Sequence, residues 1–244
     1  MKKRCVFSLL IVAMFSMTAP AVAADTVAVA GSIFSCVTEM TQVFEESGKG
    51  EAPELVMSSS GKLAAQVQAG APFGLYLSAS PKWTKLLEEE GLIEDVAPMA
   101  VCPVVAWWPK EEAPDLALIG DGVTSVAIAD PESAPFGKAA AAYLKEQGVY
   151  DKLMKEDLLV ITGPVQQAGL AADQGGVDIG MVSLSVAVKM DKGGYTVVPI
   201  APLKNSGGMV KAHATENLRQ FWLFLRTPEV AGIWEKWGFE PLNK

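Results

Sequence analysis

Along the chain, short apolar runs alternate with amphipathic segments. "TVAVAG" (Thr26 to Gly31) precedes Ile33, Val37, Met40 and Phe44 at helical spacing, which predicts a strand, then a helix with Ser32 at its N-cap. The unit recurs as "ELVMSS" before Leu63 and Val67. It recurs again as "GLYLSA" before Trp83, Leu86 and Leu87, in a helix that "PKW" opens and Gly91 closes. Three strand–helix units in succession predict a parallel sheet.

The run "AVCPVVAWW" (Ala100 to Trp108) is too long and too apolar for one half-exposed strand and reads as a strand passing from one lobe into another. A second alternating series follows: "TSVAIADP", the helix "FGKAAAAYLKEQG", the amphipathic "YDKLMKEDL", "LLVITG", the helix "VQQAGLAADQG", the strand run "VDIGMVSLS", and "YTVVPIA". "PLKNSGG" reads as a loop leading to "MVKA" and a C-terminal helical region that carries Leu218, Phe221, Trp222, Leu225, Ile233 and Trp237. The pattern predicts an α/β protein of two lobes, residues 25–104 plus 209–244 and residues 105–208. The chain would cross between them at about Val104 and about Met209. Ligands of such sheets bind beyond the carboxyl ends of the strands. Ser32, Ser58 to Ser60, Ala134 to Gly137 and Val165 all fall at those junctions.

The first residues stand apart from this pattern. Lys2, Lys3 and Arg4, an apolar run from Val6 to Met17 and Ala21-Val22-Ala23 make residues 1–24 read as a cleavable secretory signal, too short in its apolar part to span a bilayer. Cys5 lies before the apolar run, so the pattern is not that of a lipoprotein signal. The expected location is the periplasm. Without the leader the chain keeps 17 basic against 28 acidic residues, a net charge of −11. That charge disfavours nucleic acid or an anionic membrane as partner. Cys36 and Cys102 remain, read either as two buried thiols or as a single bridge, and no CxxC or metal-ligand cluster accompanies the one histidine, His213.

Helix N-termini carry unpaired N–H groups and partial positive charge, so several aimed at one point make an anion site without lysine or arginine. Ser32 and Ser60 serve such a site or act simply as caps. "SSSGKL" lacks the spacing of a phosphate loop, so Lys62 is expected in solvent. A hydrolase is disfavoured: there is no G-x-S-x-G elbow, and His213 has no partners in a catalytic pattern.

In order, "AGS", "SSSGKLAAQVQAGAP", "LYLSAS", "PKW", "IADPESAPFGKAA", "GPVQQAGLA", "IGMVS" and "WGF" resemble the periplasmic molybdate-binding proteins of ABC importers, over nearly the whole chain after the leader. The resemblance implies a type II periplasmic binding protein fold, two α/β lobes with the ligand cleft between them, and no enzymatic activity or cofactor. The implied ligand is molybdate or tungstate, its metal bound as an oxyanion and not by direct side-chain coordination. Carried over by position, the ligand donors are the hydroxyls of Ser32 and Ser60 and the backbone N–H groups of Phe136 and Val165. Ser183, standing where the family places a tyrosine, is a further candidate ligand contact. Ser58 and Ser59 are left out of the site. "SGGM" (Ser206 to Met209) replaces a common Tyr-Pro, which leaves open another oxyanion or small solute as ligand. The implied partners are the permease and, through it, the ATPase of an ABC importer, with the binding protein itself a monomer. A sensor presenting its closed form to a membrane receptor is the alternative from another class.

Overall fold

A computed structural model describes residues 25–121 and 125–242; the leader-like residues 1–24 lie outside it. Two mixed sheets organise the chain. The first has six strands in the order β11-β4-β10-β3-β1-β2, the second five in the order β7-β6-β8-β5-β9.

The first three strand–helix units form as the apolar spacing requires. β1 (Thr26–Ala30) lies between β2 (Glu54–Ser58) and β3 (Leu75–Ser78), parallel to both, with Val29 opposite Met57 on one side and Leu77 on the other. α1 (Phe34–Glu46), α2 (Ser60–Gln68) and α3 (Pro81–Glu89) follow them. α1 buries Cys36, Val37, Met40 and Phe44, the i, i+4 stripe seen in the sequence. Phe44 meets Phe221 edge to face at 5.2 Å, tying α1 to the C-terminal helix α8 (Glu216–Phe224). α9 (Ala231–Lys236) and the short strand β11 (Glu240–Pro241) complete this lobe.

Pro103 divides the long apolar run. β4 (Ile93–Cys102) belongs to the first sheet and β5 (Val104–Trp108) to the second, because proline offers no N–H to continue the ladder. The second sheet then adds β6 (Val126–Ile128), β7 (Leu159–Ile161), β8 (Ile179–Ser183) and β9 (Gly194–Val197). The intervening helices are α4 (Pro135–Glu146), α5 (Tyr150–Lys155), α6 (Val165–Asp173) and α7 (Leu184–Met190). β6 is parallel to β7 and β8, and β5 runs antiparallel between β8 and β9.

Two expectations from the sequence need correction here. "VDIGMVSLS" is not strand throughout: Ser183 ends β8 and caps α7, its Oγ accepting from the Val186 N–H at 3.3 Å. The return crossing is also earlier than Met209. β10 (Leu203–Val210) lies inside the first sheet between β3 and β4, so the chain crosses back between Val197 and Leu203. "KNSGG" looked like a loop because glycine usually marks turns. Here Gly207 is demanded by packing, since a Cβ on it would meet Leu77 Cδ2 at 2.6 Å and the Trp222 ring at 2.9 Å.

Among the described residues no helix is long and apolar enough to cross a membrane. Cys36 and Cys102 are free and buried, which answers the choice between thiols and a bridge. Burial pushes the Cys102 thiol up to about 12 and Cys36 higher still, so both stay protonated and unreactive in the folded protein. Trp107, Trp222 and Trp234 fill the interior as core residues.

Candidate anion-binding cleft

Four helical N-termini meet where the two sheets face each other. The 3-10 turn Gly31–Ile33 leads into α1 after β1, α2 follows β2, α4 follows β6 and α6 follows β7. They border a small cavity of about 10 Å³, lined by Ala30, Gly31, Ser32, Ser59, Ser60, Ala79, Ala134, Pro135, Phe136 and Val165. The lining contains no charged side chain. Such a space is about that of one water-sized body and far below pockets that hold drug-sized ligands, roughly 300–1,000 Å³. It suits a small compact ion.

None of these four N-termini is closed by a side-chain cap. By contrast, Ser80, Ser183 and Thr215 cap α3, α7 and α8 with their hydroxyls. The first N–H groups of a helix have no intrahelical acceptor, so those of Phe136 in α4 and Val165 in α6 are free of the helix ladder. Pro135, at the first position of α4, fixes the helical start while contributing no donor, which leaves Phe136 to supply it. The helix dipoles add positive potential from both lobes.

Ser32 is not an N-cap. Ala30 occupies that position, and Ser32 sits inside the turn, 4% exposed, with an Oγ that has no hydrogen-bond partner. An unpaired buried hydroxyl costs free energy, which a ligand oxygen in the cavity would recover. Ser60 is the first residue of α2, not its cap, and is 1% exposed. Its Oγ accepts from the Ala79 N–H at 3.1 Å, and its carbonyl accepts from the Tyr76 hydroxyl at 2.8 Å. The oxygen is thus held in place with its hydrogen left to donate.

Ser183 does not join them. Ser185 Oγ donates to the Ser32 carbonyl, so the 2.9 Å contact between the two serine hydroxyls requires Ser183 to donate to Ser185. With its lone pair taken by Val186 N–H, Ser183 has no hydrogen left for a ligand. It reaches the cavity only through Ser185 and the backbone of Ser32. This position therefore lies outside the cavity wall.

Ser59, set aside on sequence grounds, lines the cavity and bridges the lobes. Its Oγ donates to Ser133 Oγ at 2.9 Å, Ser133 Oγ donates to Asp130 Oδ2, and Gly61 N–H donates to the Ser133 carbonyl at 2.8 Å. The Ser133 hydroxyl, then the Glu132 amide and Lys62, hold the Asp130 carboxyl below its ordinary value against partial desolvation. Gln166, beside Val165, donates from Nε2 to the Gly31 carbonyl across the cleft. No motif marks these residues, because their partners are fixed only when the lobes meet. Lys62 is exposed, as expected, and His213 lies half-buried in the turn after β10, away from the cavity. Among the described residues no group of three or more His, Cys, Asp or Glu is placed to hold a metal ion.

A family model described as bacterial extracellular solute-binding protein matches residues 26–240. The molybdate-binding protein ModA of Rhodobacter capsulatus is 31% identical over 229 residues, 90% of this chain and 90% of its own. The Escherichia coli protein of the same name is 25% identical over 232 residues, 88% of each chain. The solved periplasmic molybdate-binding protein of Azotobacter vinelandii superposes with a TM-score of 0.81 at 25% identity, over 88% of this chain and 98% of that one.

Proposed function

Since the chain belongs to the bacterial extracellular solute-binding proteins, a family of binders and not of enzymes, we propose that it captures molybdate in the periplasm for an ABC importer. One observation carries the reading: a buried, unpartnered Ser32 hydroxyl, the free hydrogen of Ser60 and the first N–H groups of α4 and α6 border one small cavity without a charged side chain. A dianion taken from water is tolerable only where every oxygen finds a donor. Ser32 and Ser60 serve it from one lobe, Phe136 and Val165 from the other. Because the donors come from both lobes, the ion stabilises the closed arrangement over an open one, and the permease receives that closed form.

Tungstate, of the same shape and charge, is taken as well. Phosphate is held less well: at neutral pH it keeps a proton, and the two backbone N–H groups among the four donors cannot accept it. The leader-like pattern of residues 1–24 fits the periplasmic location. Isothermal titration of the purified protein with molybdate, tungstate, sulfate, phosphate and chromate tests the reading. Molybdate and tungstate are expected to bind and phosphate to bind more weakly; silence with all five refutes it.

A further inference from the structure

Two of the three junctions of the first lobe that border the cavity contain a glycine that the opposite lobe touches. A Cβ placed on Gly31 would fall on the carboxamide of Gln166, far inside contact distance, and one on Gly61 would meet Ser133 Cα at 3.1 Å and the Trp83 ring at 2.7 Å. Neither glycine has a positive φ, so backbone conformation does not require glycine at either place. At Gly31 what excludes a side chain is the approach of the other lobe; at Gly61 it is the first lobe's own Trp83 together with the other lobe's Ser133. At both points that approach is made into a hydrogen bond: Gln166 Nε2–H to the Gly31 carbonyl, and Gly61 N–H to the Ser133 carbonyl. The two reaching residues flank the second lobe's donors. Gln166 follows Val165, and Ser133 stands three residues before Phe136.

Gln166 also keeps Oε1 buried without a partner. An amide held that way is not there to satisfy itself, since one of its polar atoms bears a desolvation cost for the sake of the other's contact. The side chain belongs to the closed arrangement, because its acceptor lies in the other lobe.

We infer that Gln166 is a positioning residue, which with the Ser133–Gly61 contact forms a two-point clasp that holds the lobes closed. It sets affinity through the energy of closure without touching the ion. The inference rests on the oxyanion reading for its affinity readout and stands apart from it for its structural one. The clasp stabilises only the closed state, so its loss speeds release more than it slows capture. It does not see the ion, so the order of preference among ions stays the same.

The test uses Gln166→Ala, Gly31→Ala and the double variant in the full chain. Titration with molybdate is expected to weaken about tenfold in Gln166→Ala. It is expected to weaken by about a hundredfold in Gly31→Ala, where the added methyl meets the Gln166 amide. In the double variant, affinity returns to that of Gln166→Ala, because the group causing the clash is gone. The ratio of molybdate to sulfate affinity stays constant throughout, and stopped-flow kinetics place the Gln166→Ala change in the dissociation rate. Wild-type affinity in Gln166→Ala, or a double variant as weak as Gly31→Ala, overturns the inference. Pulsed electron paramagnetic resonance between nitroxides on Lys85→Cys and Lys155→Cys, one site in each lobe and both exposed, reads closure directly with and without molybdate. Gly31→Ala is expected to shift the population to longer distances. If no oxyanion binds the wild type, the functional reading fails, and the distance distributions still decide the clasp: identical ones in wild type and both single variants overturn it.

Discussion

Replacing Ser60 with alanine separates the two roles that the sequence left open for this residue. Its Oγ does two things: it accepts from the buried Ala79 N–H at 3.1 Å, and its hydrogen remains to donate into the cavity. The first bond exists whether or not an ion is present, so its loss lowers the stability of free and bound protein alike and cancels from the binding constant. Only the donation to the ion appears in Kd. A hydrogen bond to a charged group is worth about 1.5–3 kcal/mol, which predicts binding weakened by roughly ten- to a hundredfold.

The orphaned Ala79 N–H appears instead in the melting curve. An unsatisfied buried donor costs about 1–3 kcal/mol, and for a chain of this size each kcal/mol lowers Tm by about 2–4 °C. Ser183→Ala is the natural control. It removes a cap from α7, costing about 1 kcal/mol of stability, yet Ser183 donates to Ser185 and lies outside the cavity lining. Its Kd is expected to stay within a few-fold of wild type. Calorimetric titration with molybdate alongside thermal melts reads both variants. A Ser60→Ala protein that melts early but binds like wild type would refute the assignment and return Ser60 to a purely structural role.

Three further outcomes follow from the same geometry. Val165→Pro keeps a buried apolar ring at the first position of α6, where proline is tolerated, and removes only the N–H; molybdate titration should weaken by roughly ten- to a hundredfold with Tm nearly unchanged. The depressed Asp130 carboxyl contributes stability that is present above the ordinary carboxylate value, near 4, and is lost as pH falls through its lower folded value. Asp130→Asn should therefore flatten the acid side of a plot of urea midpoint against pH, and an unchanged slope would remove Asp130 from the account. Cys36 and Cys102, both buried with raised pKa values, should resist a disulfide reagent at pH 8 in the native protein and react once it is unfolded in guanidinium; rapid native labelling would contradict their burial.

The sequence carries its helical stripes and strand runs openly because burial acts on them locally. Val37, Met40 and Phe44 lie on one face of α1 whatever the other lobe does. Where a residue's role depends on a distant neighbour, local pattern misleads. Gly207 and Gly208 read as a turn, yet they lie in the interior strand β10, and Gly207 makes room for Trp222, which comes from a helix that follows in sequence. The same holds at the site. The positions of Phe136 and Val165 were legible because a helix start after a strand is itself a local event. Ser59 was discarded because its partner, Ser133, is 74 residues away in the other lobe.

Ser183 shows how the neighbours of a long-range position decide its role. A serine is short enough to bond its own helix start, and its remaining hydrogen turns to Ser185. Ser185 then donates to the carbonyl of Ser32, the residue whose own hydroxyl is left unpaired in the buried cavity wall. The bond that holds the Ser32 backbone is thus made by Ser185 and not by Ser183. In the proposed function direct donation falls to two serine hydroxyls and two backbone N–H groups, and the lobes also touch one another beside them. Those contacts fall on Gly31 and Gly61, the places in the first lobe where the absence of a side chain lets the second lobe reach the main chain.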